Sequence, residues 1–467
     1  MQIPEKVAYI LEKLRENHFE GYVVGGCVRD RVLGRTPGDW DITTSARPQE
    51  VKQIFRRTID TGIAHGTVTV MIGEEGFEVT TYRVDGEYED HRHPDRVVFT
   101  PNLEEDLKRR DFTINAMAYS PETGIVDLFG GMKDIQSRCI RCVGDPIERF
   151  SEDALRMLRG VRFAGQLGFH IEEETLAAVR TCAGTIARVS AERIREELTK
   201  LLLSAEPEKL LIAEKAGLCR IFLPEFSQML RTGQNNPNHC YNVGMHSLHA
   251  VKHIQELYGA LREGEAPYDG CMPEEKVNTI LVYAALLHDV GKPLCRQADE
   301  EGMDHFHGHD RKGSELAHSI LRRLRFDNET VRLVEKLIRF HEWRYEGNRR
   351  SLRRLVHKAG AATMPFLFML QEADVHSQSD YNREDKLAHM REARRMFSDI
   401  REKHEPVSIG ELAVSGKDII SAGMQPGPQV GQMLRDLLEL VIEEPEKNNR
   451  KLLLTEIEKR IKIEGEN

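Results

Sequence analysis

Val7, Ile10, Leu11 and Leu14 recur at helical spacing within an otherwise polar stretch, so residues 1–20 are predicted to form an amphipathic helix. The texture then changes. Gly21-Tyr22-Val23-Val24-Gly25-Gly26 predicts a short strand ending in a glycine turn, with a helix over 28–33. Trp40-Asp41-Ile42-Thr43 predicts a second strand, and 48–55 a second helix. Two β-rich runs, 67–72 and 77–82, are split by Gly73-Glu74-Glu75-Gly76, a hairpin signal. From about residue 147 apolar positions recur at three and four, so nearly everything is predicted helical. Ser190 ahead of Ala191-Glu192-Arg193 reads as an N-cap followed by an acidic first turn. Leu223-Pro224 and the polar stretch 231–237 mark a boundary near 235. A second helical block runs from 246 to about 380, and a third, with the loop Gly423-Met424-Gln425-Pro426-Gly427-Pro428, covers the rest.

The pattern is α+β: a small α/β head followed by mostly α-helical parts. A chain of 467 residues also exceeds one hydrophobic core, so several domains are expected. With 40% hydrophobic and 30% charged residues, no apolar run reaches the roughly 18 residues that span a bilayer, which excludes an integral membrane protein. The 36 Gly and 18 Pro lack any period, which excludes a collagen-like chain. The N-terminus lacks the basic-then-apolar layout of a secretory signal. Of eight Cys only Cys139 and Cys142 sit close together, so reduced thiols in a cytoplasmic protein are expected, not a zinc ribbon or disulfide framework. The net charge of −10 means that any polyanionic partner must meet a local basic surface.

Two places carry chemistry. In the first, Gly25-Gly26-Cys27-Val28-Arg29-Asp30 joins a strand to a helix. Two glycines let backbone approach an anion, the helix start offers free N–H groups to phosphate, and Arg29 adds a cation. Asp39-Trp40-Asp41 follows. On a strand, residues two apart face the same side, and two such carboxylates stay ionised together only with a cation between them. Hard oxygen ligands of this kind suit Mg2+. Strand, glycine turn and helix followed by a D-x-D strand is the arrangement needed to hold a triphosphate against Mg2+. Glu78 is a candidate third carboxylate on a later strand.

Residues 21–45 resemble the signature of class II nucleotidyltransferases, the family of CCA-adding tRNA nucleotidyltransferases and bacterial poly(A) polymerases. The run from Arg83-Val84-Asp85-Gly86 to His91-Arg92-His93-Pro94 resembles their flexible loop, and Arg109-Arg110-Asp111-Phe112-Thr113-Ile114-Asn115 a further motif. Glu152-Asp153-Ala154-Leu155-Arg156 resembles their nucleobase-reading motif, and 190–198 their neck motif. The resemblance covers about residues 20–235, in order. It implies that Gly26, Arg29, Arg110, Asp153, Arg156, Arg159 and Arg162 bind the nucleotide and that Asp39 and Asp41 are catalytic and hold Mg2+. Asp153, Arg156, Arg159 and Arg162 step by three, which predicts one shared helix face. An Asp accepts from an exocyclic amine and an Arg donates to a ring nitrogen or carbonyl. Cytosine and adenine both show that edge; uracil and guanine do not.

The second place is Leu286-Leu287-His288-Asp289-Val290-Gly291-Lys292-Pro293, with Met245-His246-Ser247-Leu248-His249 upstream and Glu372-Ala373-Asp374 downstream. Imidazole mixed with carboxylate suits Mn2+, Fe2+, Co2+, Ni2+ or Mg2+ more than a thiolate zinc site. Over roughly 240–380 this order resembles the HD phosphohydrolase domain, which implies that His246, His288, Asp289 and Asp374 ligate a metal. His309 and His341 fall where such domains place further ligands. His249 and His253 share a face with His246 and are expected to be structural. The basic runs 349–354 and 391–403 are solvated faces or, on the resemblance, tRNA phosphate contacts.

The expected parts are a catalytic head (1–146), a base-reading helical neck (147–235), an HD metal domain (236–380) and a helical, tRNA-binding tail (381–467). The expected reaction adds C, C and A to the 3′ end of tRNA from CTP and ATP. The alternatives are an A-only adding enzyme or poly(A) polymerase, an HD phosphohydrolase with an RNA-binding N-terminal half, and a non-enzymatic RNA-binding protein. The loop at 83–96 argues against a CC-only enzyme, and the intact Asp39 and Asp41 against an RNA-binding role alone. The oligomeric state stays open.

Overall fold

The short apolar runs of the first half pair into one mixed sheet. Here α1 (Glu5–Glu16) precedes β1 (Gly21–Val24), α2 (Gly26–Val32), β2 (Ile42–Thr44), α3 (Pro48–Ile54), β3 (Thr58–Gly62), β4 (Thr67–Ile72) and β5 (Glu75–Thr81). After the ribbon of β6 (Arg83–Asp85) and β7 (Val97–Phe99) come α4 (Leu103–Lys108), β8 (Met117–Ser120), β9 (Gly124–Asp127) and α5 (Gly131–Gln136). The strand order is β3-β4-β5-β2-β1-β8-β9, and β2 runs parallel to β5 with Ile42 opposite Val79. The middle strands are β-branched and buried at Val23, Val24, Ile42 and Val79, as central strands require. Val7, Ile10, Leu11 and Leu14 of α1 are buried as their spacing predicts. This computed structural model describes residues 1–85, 97–262, 272–343 and 347–465, so most of the 83–94 motif lies outside the described residues.

Helices follow: α6 (Pro146–Glu152), α7 (Leu155–Leu167), α8 (Glu173–Cys182) and α9 (Ala191–Leu202). Two local expectations change here. Ser190 occupies the N-cap of α9, but its side chain makes no capping hydrogen bond. Asp153 is not on the arginine helix: it ends α6 with extended backbone (φ −142°, ψ 104°), and α7 begins only at Leu155. The stripe Arg156, Arg159, Arg162 is helical; Asp153 is the hinge before it.

The chain divides into two units, Met1–Ser227 and Gln228–Asn467. The polar stretch 231–237 is not the divider, because it is bonded into the second unit: the Asn235 N–H donates to Asp304 at 2.8 Å and Lys292 to Gln234 at 2.8 Å. Within that unit the helices Glu274–Leu287 and Met364–Ser377 are apolar around most of their circumference and mostly buried. His288 and Asp289 follow the end of the first and Asp374 lies on the second, while His246, His309 and His341 come from the helices Val243–Arg262, His309–Arg323 and the end of Asn328–Phe340. A separate apolar cluster of Val414, Ile419, Met433, Leu437, Val441, Leu453 and Ile457 forms the core of the last segment. Among the described residues no helix is long and apolar enough to cross a membrane.

Candidate active site and a second histidine–aspartate centre

β2 starts at Ile42, so Asp39 and Asp41 lie on the segment entering it, not within it. Sheet pairing still reaches Asp41, whose carbonyl accepts from the Val24 N–H at 3.0 Å. Its carboxyl is pushed above the ordinary range by burial of the acid group and by Asp39, against the opposing pull of Arg110. The residue as a whole is exposed to solvent. A carboxylate that resists ionising beside a second one is the donor set a hard divalent cation relieves. The residues therefore fit Mg2+. Stepping back one residue from the Ile42–Val79 pair puts Glu78 beside Asp41 in the parallel register, and Glu78 is exposed.

The glycine turn is needed at Gly25, where φ is +84° and a Cβ would stand 3.2 Å from Arg110 Nη1. Arg110 thus lies over the turn and acts on Asp41. It is held by Asp106 Oδ2 at 3.3 Å, and its buried Nε has no partner among the described residues. Asp106 is fully buried and also accepts from Thr43 on β2 and from Arg109 at 2.7 Å. Nothing in the sequence pattern singles it out. Because α2 is only seven residues long, Arg110 and the two aspartates carry more of the local electrostatics than a helix dipole does.

Two arginines expected at the nucleotide point inward instead. Arg29 is 8% exposed; it donates to Asn115 Oδ1 at 2.7 Å and to Asp30, and stacks against Phe163. Arg162 is also buried, pairs with Glu197 of α9, and lies 3.8 Å from the Phe163 ring centroid. Burial lowers its pKa in spite of Glu197. Both guanidiniums hold helices together, because a buried charge must keep its partners. Arg159 is part-exposed and donates twice to Asp111 Oδ2, at 2.8 and 2.6 Å. Burial pushes Asp111 up, but the charge and hydrogen bonds of Arg159 outweigh it and bring it down to about 2.

Asp153 and Arg156 come together at the α6–α7 junction. Arg156 is held by Glu152 and by the carbonyls of Arg149 and Arg109, at 3.1 and 3.0 Å. Asp153 accepts from the Leu155 N–H at 3.1 Å, and Arg193 of α9 grips both its oxygens, at 3.2 and 2.7 Å. Arg193 sits in the segment that matches the neck motif, but its pairing with Asp153 had no sequence signal.

In the second unit His246, His288, Asp289, His309 and His341 are all buried. His246 Nε2 lies 3.2 Å from His288 Nε2, 2.9 Å from Asp374 Oδ1 and 3.4 Å from Asp289 Oδ2. His309 Nε2 lies 3.3 Å from His341 Nε2 and 3.2 Å from Asp289 Oδ1. Asp289 thus turns one oxygen to each histidine pair. Each Nδ1 faces a backbone carbonyl: Ser377 for His246, Ala285 for His288, Phe306 for His309 and Ile338 for His341, at 2.7–3.2 Å. Carbonyls only accept, so each Nδ1 carries a proton, which leaves each Nε2 as the atom that faces the carboxylates and is offered to a cation. Imidazole nitrogens and carboxylates crowded together fit cations, and two groups of three ligands share Asp289. Lys292 Nζ, 2.6 Å from Asp289 Oδ2, stands beside them, at a cavity of about 510 Å3 whose wall includes His239, Trp343 and Phe368. Burial and Lys292 lower His239 to about 3, so it is neutral there.

A mixed sheet with paired carboxylates at the entry to a central strand, followed by a helix junction that presents Asp and Arg, defines a nucleotidyltransferase head. Family models agree: "Poly A polymerase head domain" matches residues 21–141, "Probable RNA and SrmB- binding site of polymerase A" 168–230, and "HD domain" 238–377. A CCA-adding enzyme of Streptococcus suis is 35% identical over 451 residues, covering 96% of this chain and 94% of that one. The chain belongs to the CCA-adding enzyme family. A CCA-adding enzyme of Lactobacillus helveticus is 54% identical over 196 residues, 42% of this chain, and that match spans about half (49%) of the relative's length. Among solved structures, the Bacillus stearothermophilus CCA-adding enzyme in complex with CTP is 28% identical, covers 100% of both chains and has a TM-score of 0.68.

Proposed function

We propose that the chain adds C, C and A in turn to the 3′ end of tRNA, using CTP and ATP and releasing pyrophosphate. The observation that carries this is the α6–α7 junction, where one acceptor, Asp153, and one donor, Arg156, are each clamped within the unit that holds Asp39 and Asp41. Asp39 and Asp41 hold Mg2+. Bound there, the ion supplies charge neutralisation at the phosphates and a more acidic attacking hydroxyl. Arg110, over the Gly25–Gly26 turn, positions the triphosphate, and Arg159 orients the base site through Asp111. Arg29 and Arg162 keep α2, α7 and α9 in place and act on the nucleotide only through that packing. Asp153 and Arg156 accept cytosine or adenine and leave uracil or guanine with facing acceptors.

The histidine–aspartate centre takes a divalent transition ion, Mn2+, Fe2+, Co2+ or Ni2+, on His246, His288, Asp289 and Asp374. His309, His341 and the second oxygen of Asp289 offer a further position. Mixed nitrogen and oxygen donors suit these ions. Such a centre at the floor of a cavity supports metal-dependent hydrolysis of a phosphate ester. The four-part division into head (1–146), neck, HD domain and tail (381–467) is proposed with it, the neck ending at the unit boundary after Ser227 rather than at 235, as is a cytoplasmic setting, where tRNA and nucleoside triphosphates occur.

The deciding experiment incubates the chain with tRNA lacking CCA and with each nucleotide separately and together, then sequences the 3′ ends. Ordered C, C, A is the expected product. Long A tracts would instead identify a poly(A) polymerase, and addition of A alone an A-adding enzyme.

A further inference from the structure

The wall of the histidine–aspartate cavity carries two side chains that neither ligand group includes, Gln378 and Lys386. Gln378 is the first residue past the helix Met364–Ser377, and there the backbone turns extended (φ −80°, ψ 178°). Its side chain reaches back one turn: Nε2 lies 3.1 Å from each carboxylate oxygen of Asp374. Oδ1 of Asp374 also faces the ring nitrogens, 2.9 Å from His246 Nε2 and 3.6 Å from His288 Nε2. The other end of the amide meets Lys386, whose Nζ lies 2.8 Å from Gln378 Oε1 and 2.9 Å from Asn238 Oδ1. An ammonium only donates, so it takes the amide oxygen and leaves the NH2 for the carboxylate. Lys386 thereby excludes the flipped amide, which would set oxygen against carboxylate. The backbone carbonyl of Gln378 accepts from Arg383 Nη2 at 2.7 Å, so both ends of the residue are tied to one helix, Arg383–Glu402.

We propose that Gln378 and Lys386 are positioning residues of the histidine–aspartate centre: Lys386 orients the Gln378 amide, and Gln378 holds Asp374 with Oδ1 turned to His246 and His288. This rests on reading the centre as a divalent metal site. The partners of a metal ligand fix its direction, and losing one typically costs about 10- to 100-fold in metal affinity. Neither residue touches the ion; each acts through the next. The helix Arg383–Glu402 begins the proposed tail, and its residues Lys386, His389, Met390 and Ala393 line the same cavity as Gln378. The centre is therefore completed by the tail and does not end with its last ligand, Asp374.

The test measures Mn2+ binding to the full chain by electron paramagnetic resonance of the free ion, in an Asp39→Ala/Asp41→Ala background that removes the carboxylate pair of the first unit. Gln378→Ala is expected to weaken one bound ion by about 10- to 100-fold, with circular dichroism unchanged. An ion on Asp289, His309 and His341 should stay in place. Lys386→Met should weaken the same ion, and Lys386→Arg should weaken it less, because a guanidinium still donates to the amide oxygen. In a Gln378→Ala background Lys386→Met should add nothing, the mark of a residue that acts through another. Equal Mn2+ affinity with and without Gln378→Ala overturns the proposal, as does full additivity of the two substitutions. A chain that binds no Mn2+ before either substitution overturns the metal reading and the proposal together, so the two failures are told apart.

Discussion

Asp153 is held on both oxygens by Arg193 and still has lone pairs for a base amine. Losing a hydrogen bond to a charged group costs about 1.5–3 kcal/mol, or roughly one to two factors of ten in selectivity. Asp153→Ala is therefore expected to weaken CTP and ATP use together and to raise UTP misincorporation relative to CTP, read as kcat/KM for all four nucleotides. Arg193→Ala is expected to lower kcat/KM for CTP and ATP by about 10- to 100-fold by the same scale. Arg193→Lys should restore only part of this, because a lysine cannot grip both oxygens at once. Equal kinetics for Arg193→Ala and wild type would show that the clamp is not used. At the proposed metal-binding pair, Asp41→Ala is expected to abolish addition. Its denaturation midpoint should change little, since removing a crowded carboxyl that is already pushed upward relieves repulsion. Addition at the wild-type rate with Mg2+ present would overturn the assignment.

At the scale of elements, close backbone approach decides what the side chains can do. Gly291 has ordinary helical backbone (φ −78°), so its need is spatial. A Cβ there would stand 2.3 Å from the His309 carbonyl oxygen and 2.6 Å from the Gly313 nitrogen, both main-chain atoms. Gly291→Ala must push the helix His309–Arg323 away from Asp289. It is expected to cost about 1–3 kcal/mol, the usual range for overpacking, and to loosen metal binding at His309 and His341. Calorimetric metal titration beside a denaturant melt checks both parts. The tie from the α7 arginine row to Asp111 predicts a pH dependence. The folded Asp111 titrates near 2, below its usual 3.8. Its contribution to stability, on the order of 2 kcal/mol, is therefore complete above about pH 4 and is lost as pH falls toward 2. The stability gap between wild type and Asp111→Asn should narrow across that window in paired melts; a gap constant from pH 6 to pH 2 would refute the ion pair.

At the scale of the whole molecule, the two candidate centres lie in different units and use different donors, carboxylates alone in one and imidazole with carboxylate in the other. The double variant His288→Ala/Asp289→Ala is expected to lose any hydrolysis of small phosphate esters while tRNA 3′-end addition persists. Loss of addition with a native circular dichroism spectrum would show that the functions are not separable.

Periodicity along the chain was enough to predict α1, the β1–glycine turn, the β4–β5 hairpin and the long helical remainder, because each follows from neighbours a few residues apart. The candidate ligands were legible for a related reason: Asp39 and Asp41, or His288 and Asp289, are chemically unusual within short windows. Boundaries were less legible. β2 begins at Ile42, after the aspartates, and the polar stretch near 235 joins the second unit through contacts with Asp304 and Lys292. What tertiary structure alone decided is which charges are free. Arg29, Arg159 and Arg162 look alike in sequence, yet Arg29 and Arg162 are buried against Asn115 and Glu197 while Arg159 stays part-exposed on Asp111. Asp106 and Arg193 entered the site only through partners on other elements. A side chain's type is local, but its burial and the sign of the charge facing it depend on residues tens of positions away, so neither can be read before the chain has folded.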